Sequence, residues 1–206
     1  VIPKHELDYI MGNPPFVGHQ WRSKEQAADL ESVCKDIHKC GKLDYVCGWY
    51  IKATEYMQGT NIHTAFVSTN SISQGESVGI LWKPLFEKSV QINFAHRTFV
   101  WTSEAKDKAA VHCVIVGFTC GISNKKRYLF ESGQMKEVSQ INGYLVEAPN
   151  IFIQSRGKTL TLGLPEMSKG SQPTDGGYLL LSKAERDQFV KDYPVTDSFI
   201  KRFVGS

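Results

Sequence analysis

The sequence predicts an α/β protein: half of a doubly wound, largely parallel sheet, followed by a stretch of irregular α+β character. Three observations carry this. Four short apolar runs of strand character are spread over residues 1–122. Amphipathic helical stretches separate the first three of them, where the crossovers of a parallel sheet must lie. Beyond Gly121 the periodicity fades, and Gly, Pro, Ser and Thr dominate between Pro149 and Gly177.

The elements follow in order. Leu7-Asp8-Tyr9-Ile10-Met11-Gly12 is a mostly apolar run that stops at Asn13-Pro14-Pro15, hence a buried strand ending in a rigid turn. Ser23-Lys24-Glu25-Gln26 has capping-box form; Ala27, Leu30, Cys34 and Ile37 continue it at helical spacing, predicting a helix that closes at Gly41. Asp44 can cap a second helix carrying Val46, Trp49, Tyr50, Ala53 and Met57 on one face and ending at Gly59. Residues 64–69 form a β-rich second strand. Residues 76–88 read as a helix that Pro84 should kink or divide, because proline has no N–H to donate. Residues 90–95 and 110–118 are the third and fourth strands, the fourth being the strongest signal in the chain. A short strand over 128–131 follows the basic triplet Lys125-Lys126-Arg127, and loops dominate after it. A last helix starts at the capping box Ser182-Lys183-Ala184-Glu185.

Bulk properties narrow the class. With 206 residues the chain can bury one core plus a small appendage. Hydrophobic content of 41% and charged content of 22% are those of an ordinary globular domain. A net charge of +3 permits nucleic-acid binding without arguing for it. No apolar run approaches the ~20 residues of a membrane span and no leader opens the chain, so a cytoplasmic protein is expected. The five cysteines (Cys34, Cys40, Cys47, Cys113, Cys120) form no C-x-x-C pair and are odd in number, which predicts separate buried thiols. No His/Cys/carboxylate cluster suggests a metal. The chain starts at Val1 and ends at Ser206 without cap or tail, and is expected to be a piece of a longer protein.

Asn13-Pro14-Pro15-Phe16 carries the chemistry. Methylating the exocyclic amino group of adenine is hard because the nitrogen lone pair is delocalised into the ring. Accepting hydrogen bonds from both N–H groups favours a tetrahedral nitrogen with its lone pair free to attack. The Asn13 side-chain oxygen and the Pro14 carbonyl can be those acceptors, held ready by two prolines whose φ is fixed. Phe16 offers an apolar face on which a base flipped out of the duplex can stack. The alternative is a stiff Pro-Pro turn with Phe16 merely packing. Such a string arises by chance in about one in several hundred chains of this length, and in open α/β sheets ligands bind beyond the carboxyl ends of strands, where Asn13 would sit.

The string DYIMGNPPFVG resembles the catalytic motif of DNA adenine-N6 methyltransferases. The runs KLDYVCGWYIKATEYMQG, TAFVSTNSISQGE, LWKPLFE and INFAHRTFVWTSEAKDKAAVHCVIVGF are similar to the fused restriction-modification enzymes of the MmeI type (type IIG/IIL). YLVEAPNIFIQSR and PTDGGYLLLS resemble the stretch that precedes their recognition domain, so the likeness covers nearly the whole chain. The resemblance implies the C-terminal half of a Rossmann-like methyltransferase sheet in residues 1–122, and in 123–206 a connector toward a target-recognition domain. It implies a bacterial enzyme with S-adenosylmethionine as methyl donor and double-stranded DNA as partner. Asn13, Pro14, Pro15 and Phe16 match the motif, Asn13 also touching the donor. A second aromatic commonly covers the flipped base in such enzymes; Trp101, ahead of Phe99, is the best match, and core packing is the competing reading.

The sequence departs from the family in one respect. The family's donor-binding element is a glycine-rich turn after an earlier strand, and no G-x-G cluster after a strand exists here. The rest of the donor site is therefore expected upstream, and this chain alone is expected to be inactive. Arg97 and Lys106 are candidate DNA contacts. Lys125, Lys126, Arg127, Arg156 and Lys158 could contact phosphate, but solvated charge is the favoured reading for them, and His96 and His112 read as structural. Two other readings stay open: an RNA or protein-glutamine methyltransferase, which has less use for residues 123–206, and a non-catalytic scaffold that kept the fold.

Overall fold

The computed structural model describes residues 2–101, 111–121, 126–153, 163 and 175–203. It divides into two units, Val1–Ser155 and Arg156–Ser206.

The first unit holds β1 (Tyr9–Gly12), α1 (Lys24–Val33), α2 (Cys47–Met57), β2 (His63–Thr69), α3 (Gly75–Glu87), β3 (Val90–Trp101), β4 (Val111–Cys120), β5 (Arg127–Glu131) and β6 (Gln134–Val138). The six strands form one sheet in the order β1-β2-β4-β3-β5-β6. β1 and β2 are parallel, whereas β4 runs antiparallel to both β2 and β3. The expected α/β sheet is present. β4 turns back from β3 and fills the place between β2 and β3, so β1, β2 and β3 all point their carboxyl ends to one edge. That edge carries the candidate site.

Aromatic rings fill the core between α2, α3 and the sheet. Tyr50 lies 5.3 Å from Phe66, 5.6 Å from Trp82 and 5.3 Å from Phe118, ring centre to ring centre. All four are buried. Their faces and edges meet in the tilted and offset arrangements that aromatic quadrupoles favour. Burying side chains of this size contributes about 1.5–3 kcal/mol each.

Several elements depart from expectation. α1 carries the predicted capping box, Ser23 and Gln26 exchanging both bonds, but ends at Val33 rather than Gly41. The chain turns there, and Lys39 takes a left-handed φ of 64° that no helix can continue. α3 runs unbroken through Pro84. The lost N–H costs a single intrahelical bond, and buried Val78, Leu81, Trp82 and Leu85 hold the helix to the sheet. β3 extends to Trp101, bending at two register shifts.

The expectation of separate buried thiols holds for Cys47 and Cys113; Cys120 is a free thiol but only half-buried, and the other two cysteines are not free. Cys34 and Cys40 form a disulfide. The turn that ends α1 brings their Cα atoms to 6.1 Å, within the reach of an S–S bond.

The second unit contains α4 (Lys183–Asp192), opened by the reciprocal Ser182–Glu185 capping box, and a 3₁₀ turn at Pro194–Ser198. No residue of α4 is buried. Among the described residues no helix is long and apolar enough to cross a membrane.

Candidate active site

Asn13-Pro14-Pro15-Phe16 leaves the carboxyl end of β1. Strand pairing with β2 stops at Gly12, opposite Phe66, and the two prolines that follow Asn13 have no N–H with which to extend it. Asn13 is exposed, Pro14 is buried, and Phe16 is half-buried against the core. The turn is therefore anchored by Pro14 and Phe16 and leaves Asn13 and Pro15 open. Asn13, Pro14 and Pro15 line a cavity of about 720 Å³ together with Ile10 of β1 and Trp49 and Ala53 of α2.

The chain after Phe16 is held from both sides. The Val17 amide donates to Asp44 Oδ1 at 3.1 Å, and the Val17 carbonyl accepts from the Tyr45 amide at 3.0 Å. Further on, the Trp21 N–H closes a turn onto the Gly18 carbonyl at 2.9 Å, and the Arg22 guanidinium donates to the Gly41 carbonyl. On the cavity rim the Tyr45 hydroxyl donates to Asp29 at 2.9 Å, which raises the pKa of the phenol. Tyr45 also meets Trp49 edge to face at 5.1 Å.

Trp101 is the last residue of β3 and 43% exposed, on the same sheet edge as Asn13. Two strands lie between them in the sheet order, so β1 and β3 stand about 14 Å apart. Phe99 packs on His96 with ring centres at 5.2 Å, and His96 stacks on Phe130 at 6.0 Å. Of the two aromatic candidates, Phe99 is thus engaged in packing and Trp101 is the more open. His96 sits inside that aromatic cluster. Arg97 pairs with Glu131 at 2.8 Å, and Lys126 pairs with Glu137 at 2.8 Å. Lys106, Lys125, Arg156 and Lys158 lie outside the described residues. Among the described residues no group of three His, Cys, Asp or Glu side chains is placed to hold a metal.

Asp44 is the residue of this region whose connections the sequence hides. A lone aspartate before an apolar helix has a sufficient local explanation as a cap. In the structure α2 starts at Cys47, with Val46 at its capping position. Asp44 does accept the Val46 amide at the entry to that helix, at 3.1 Å, and it also receives bonds from Val17 and Thr69, far away in sequence, which no local signal could announce.

Comparison with known proteins decides the family. Residues 2–131 match the family model of the MmeI DNA-methyltransferase domain. The chain belongs to this family. Residues 147–206 match the model of the MmeI target recognition domain. DNA methyltransferase A of Bacillus subtilis (strain 168) is 40% identical over 198 residues, which is 96% of this chain and 22% of that protein. The solved structure of the type IIL restriction-modification enzyme MmeI in complex with DNA is 42% identical with a TM-score of 0.90, covering 99% of this chain and 28% of that one. The chain therefore spans about a quarter of the length of these two relatives.

Proposed function

We propose that the protein carrying this chain transfers a methyl group from S-adenosylmethionine to the N6 amino group of an adenine in double-stranded DNA, within a bacterial, cytoplasmic restriction-modification protein. The observation that carries this reading is the placement of Asn13-Pro14-Pro15-Phe16 at the carboxyl end of β1, in a chain of the MmeI methyltransferase family. The match of residues 147–206 to a target recognition domain supports DNA, rather than RNA or a protein, as acceptor.

In this reading the Asn13 amide oxygen and the Pro14 carbonyl accept hydrogen bonds from the two amino N–H groups, and so aim the nitrogen lone pair. Phe16 supports one face of the flipped base and Trp101 the other. The donor supplies an electrophilic methyl group when bound. The residues here fit one wall of its site: an exposed asparagine lining a largely apolar cavity beside the strand end. No glycine-rich turn after a strand stands in this sequence to form the other wall.

The test is the product. Full-length protein is incubated with duplex DNA and isotopically labelled S-adenosylmethionine, and the DNA is digested to nucleosides for mass spectrometry. Label in N6-methyladenine supports the reading; label in methylcytosine, or in RNA or protein alone, overturns it.

A further inference from the structure

Resting on that reading, we propose that Asp44 is a positioning residue of the reaction, whose carboxylate sets where the Asn13–Phe16 turn stands above the sheet edge. Asp44 is 9% exposed. Its Oδ1 accepts from the Val17 amide and from the Val46 amide, each at 3.1 Å. Its Oδ2 accepts from the Thr69 hydroxyl at 3.1 Å. The three donors sit on three segments: the residue after Phe16, the entry to α2, and the last residue of β2.

A helix cap needs the Val46 contact alone. The bonds to Val17 and Thr69 span 27 and 25 residues and add nothing to α2. They tie the turn to the end of the strand beside β1. The Tyr45 amide completes the clamp on the Val17 carbonyl at 3.0 Å, so both backbone groups of Val17 are held by two adjacent residues. A carboxylate suits the place because it is acceptor-only and has two oxygens for three donors. Its charge-assisted bonds are roughly twice as strong as neutral ones, which offsets desolvation. Asp44 acts through the Val17 backbone, and displacement of a catalytic group by about 1 Å is enough to cost about a hundred-fold in rate.

The experiment uses the full-length protein and single-turnover methyl transfer at saturating DNA and donor, with DNA affinity and thermal unfolding measured beside it. Asp44→Ala is expected to lower the rate constant by about ten- to a hundred-fold while DNA affinity stays within about two-fold. Asp44→Asn keeps one acceptor oxygen and recovers part of the rate; Thr69→Val, which removes one donor, gives a smaller loss. A merely destabilised protein would lose reaction amplitude and keep its rate constant. The proposal is overturned if folded Asp44→Ala transfers at the wild-type rate or loses amplitude alone. Should that variant not fold, Asp44→Asn and Thr69→Val both running at the wild-type rate overturn it. Asn13→Ala in parallel separates the failures: if it stays active the underlying reading falls, and if it is dead beside a fully active Asp44→Ala the positioning role alone falls.

Discussion

The Tyr50 hydroxyl and the Ser68 hydroxyl share a 2.7 Å hydrogen bond in the core, joining α2 to β2. Both residues are fully buried, so neither group can turn to water instead. Tyr50→Phe leaves Ser68 without this partner and is expected to destabilise the protein by about 1–3 kcal/mol. Denaturant unfolding of the two proteins measures the difference. No loss of stability would mean that the Ser68 hydroxyl finds another partner.

Stability should also fall in alkali. Burial raises the pKa of the Tyr50 phenol above its ordinary 10.0 and of the Cys47 thiol above 9.0. In the unfolded chain both release protons near their ordinary values, so at higher pH the unfolded state binds fewer protons than the folded one. The stabilisation is complete below those ordinary values and is lost as pH rises from them toward the raised folded values, at up to about 1.4 kcal/mol per pH unit for each group. Unfolding midpoints measured from about pH 8 to about pH 11 should show this fall, and Tyr50→Phe should flatten its upper part.

Gly117 of β4 lies where a Cβ would stand 2.1 Å from the Phe94 ring on β3. Gly117→Ala must push that ring aside and is expected to cost about 1–3 kcal/mol. Adding Phe94→Ala should return part of the loss, because the two sites are in contact. Additive effects in a thermal-unfolding cycle would contradict the contact.

The two aromatic roles can be separated by fluorescence of a 2-aminopurine at the target position. Phe16→Ala and Trp101→Ala should each weaken retention of the flipped base, worth about 1–3 kcal/mol per stacked ring. Unchanged fluorescence for Trp101→Ala would return that residue to the role of an exposed strand end.

The candidate turn and the presence of the strands flanking it are legible in the sequence because their signals are local. β1 is not the buried strand expected, however: Tyr9, Met11 and Gly12 are exposed, because β1 lies at the edge of the sheet. Asn-Pro-Pro ends a strand for steric reasons, and β2 alternates buried and half-buried residues as a strand in a covered sheet should. β6 is not legible, because Gln134, Met135, Lys136 and Glu137 are exposed and Val138 alone is buried, which leaves no apolar pattern to read. The expected end of α1 overruns the observed one because Ile37 and Gly41 keep helical spacing after the chain has turned at Cys34. That turn also makes the Cys34–Cys40 disulfide, which spacing along a continuous helix would not suggest. Long-range ties are hidden for a related reason: Asp44 reads as a cap, and its bonds to Val17 and Thr69 exist only once β1, α2 and β2 are assembled.

The most direct test of the central claim is methyl transfer by Asn13→Ala in the full-length protein, followed as labelled N6-methyladenine in duplex DNA. The account predicts loss of transfer by at least about a hundred-fold, with DNA affinity within about two-fold of wild type, because one of two amino-group acceptors is gone. Transfer at a near wild-type rate would contradict it.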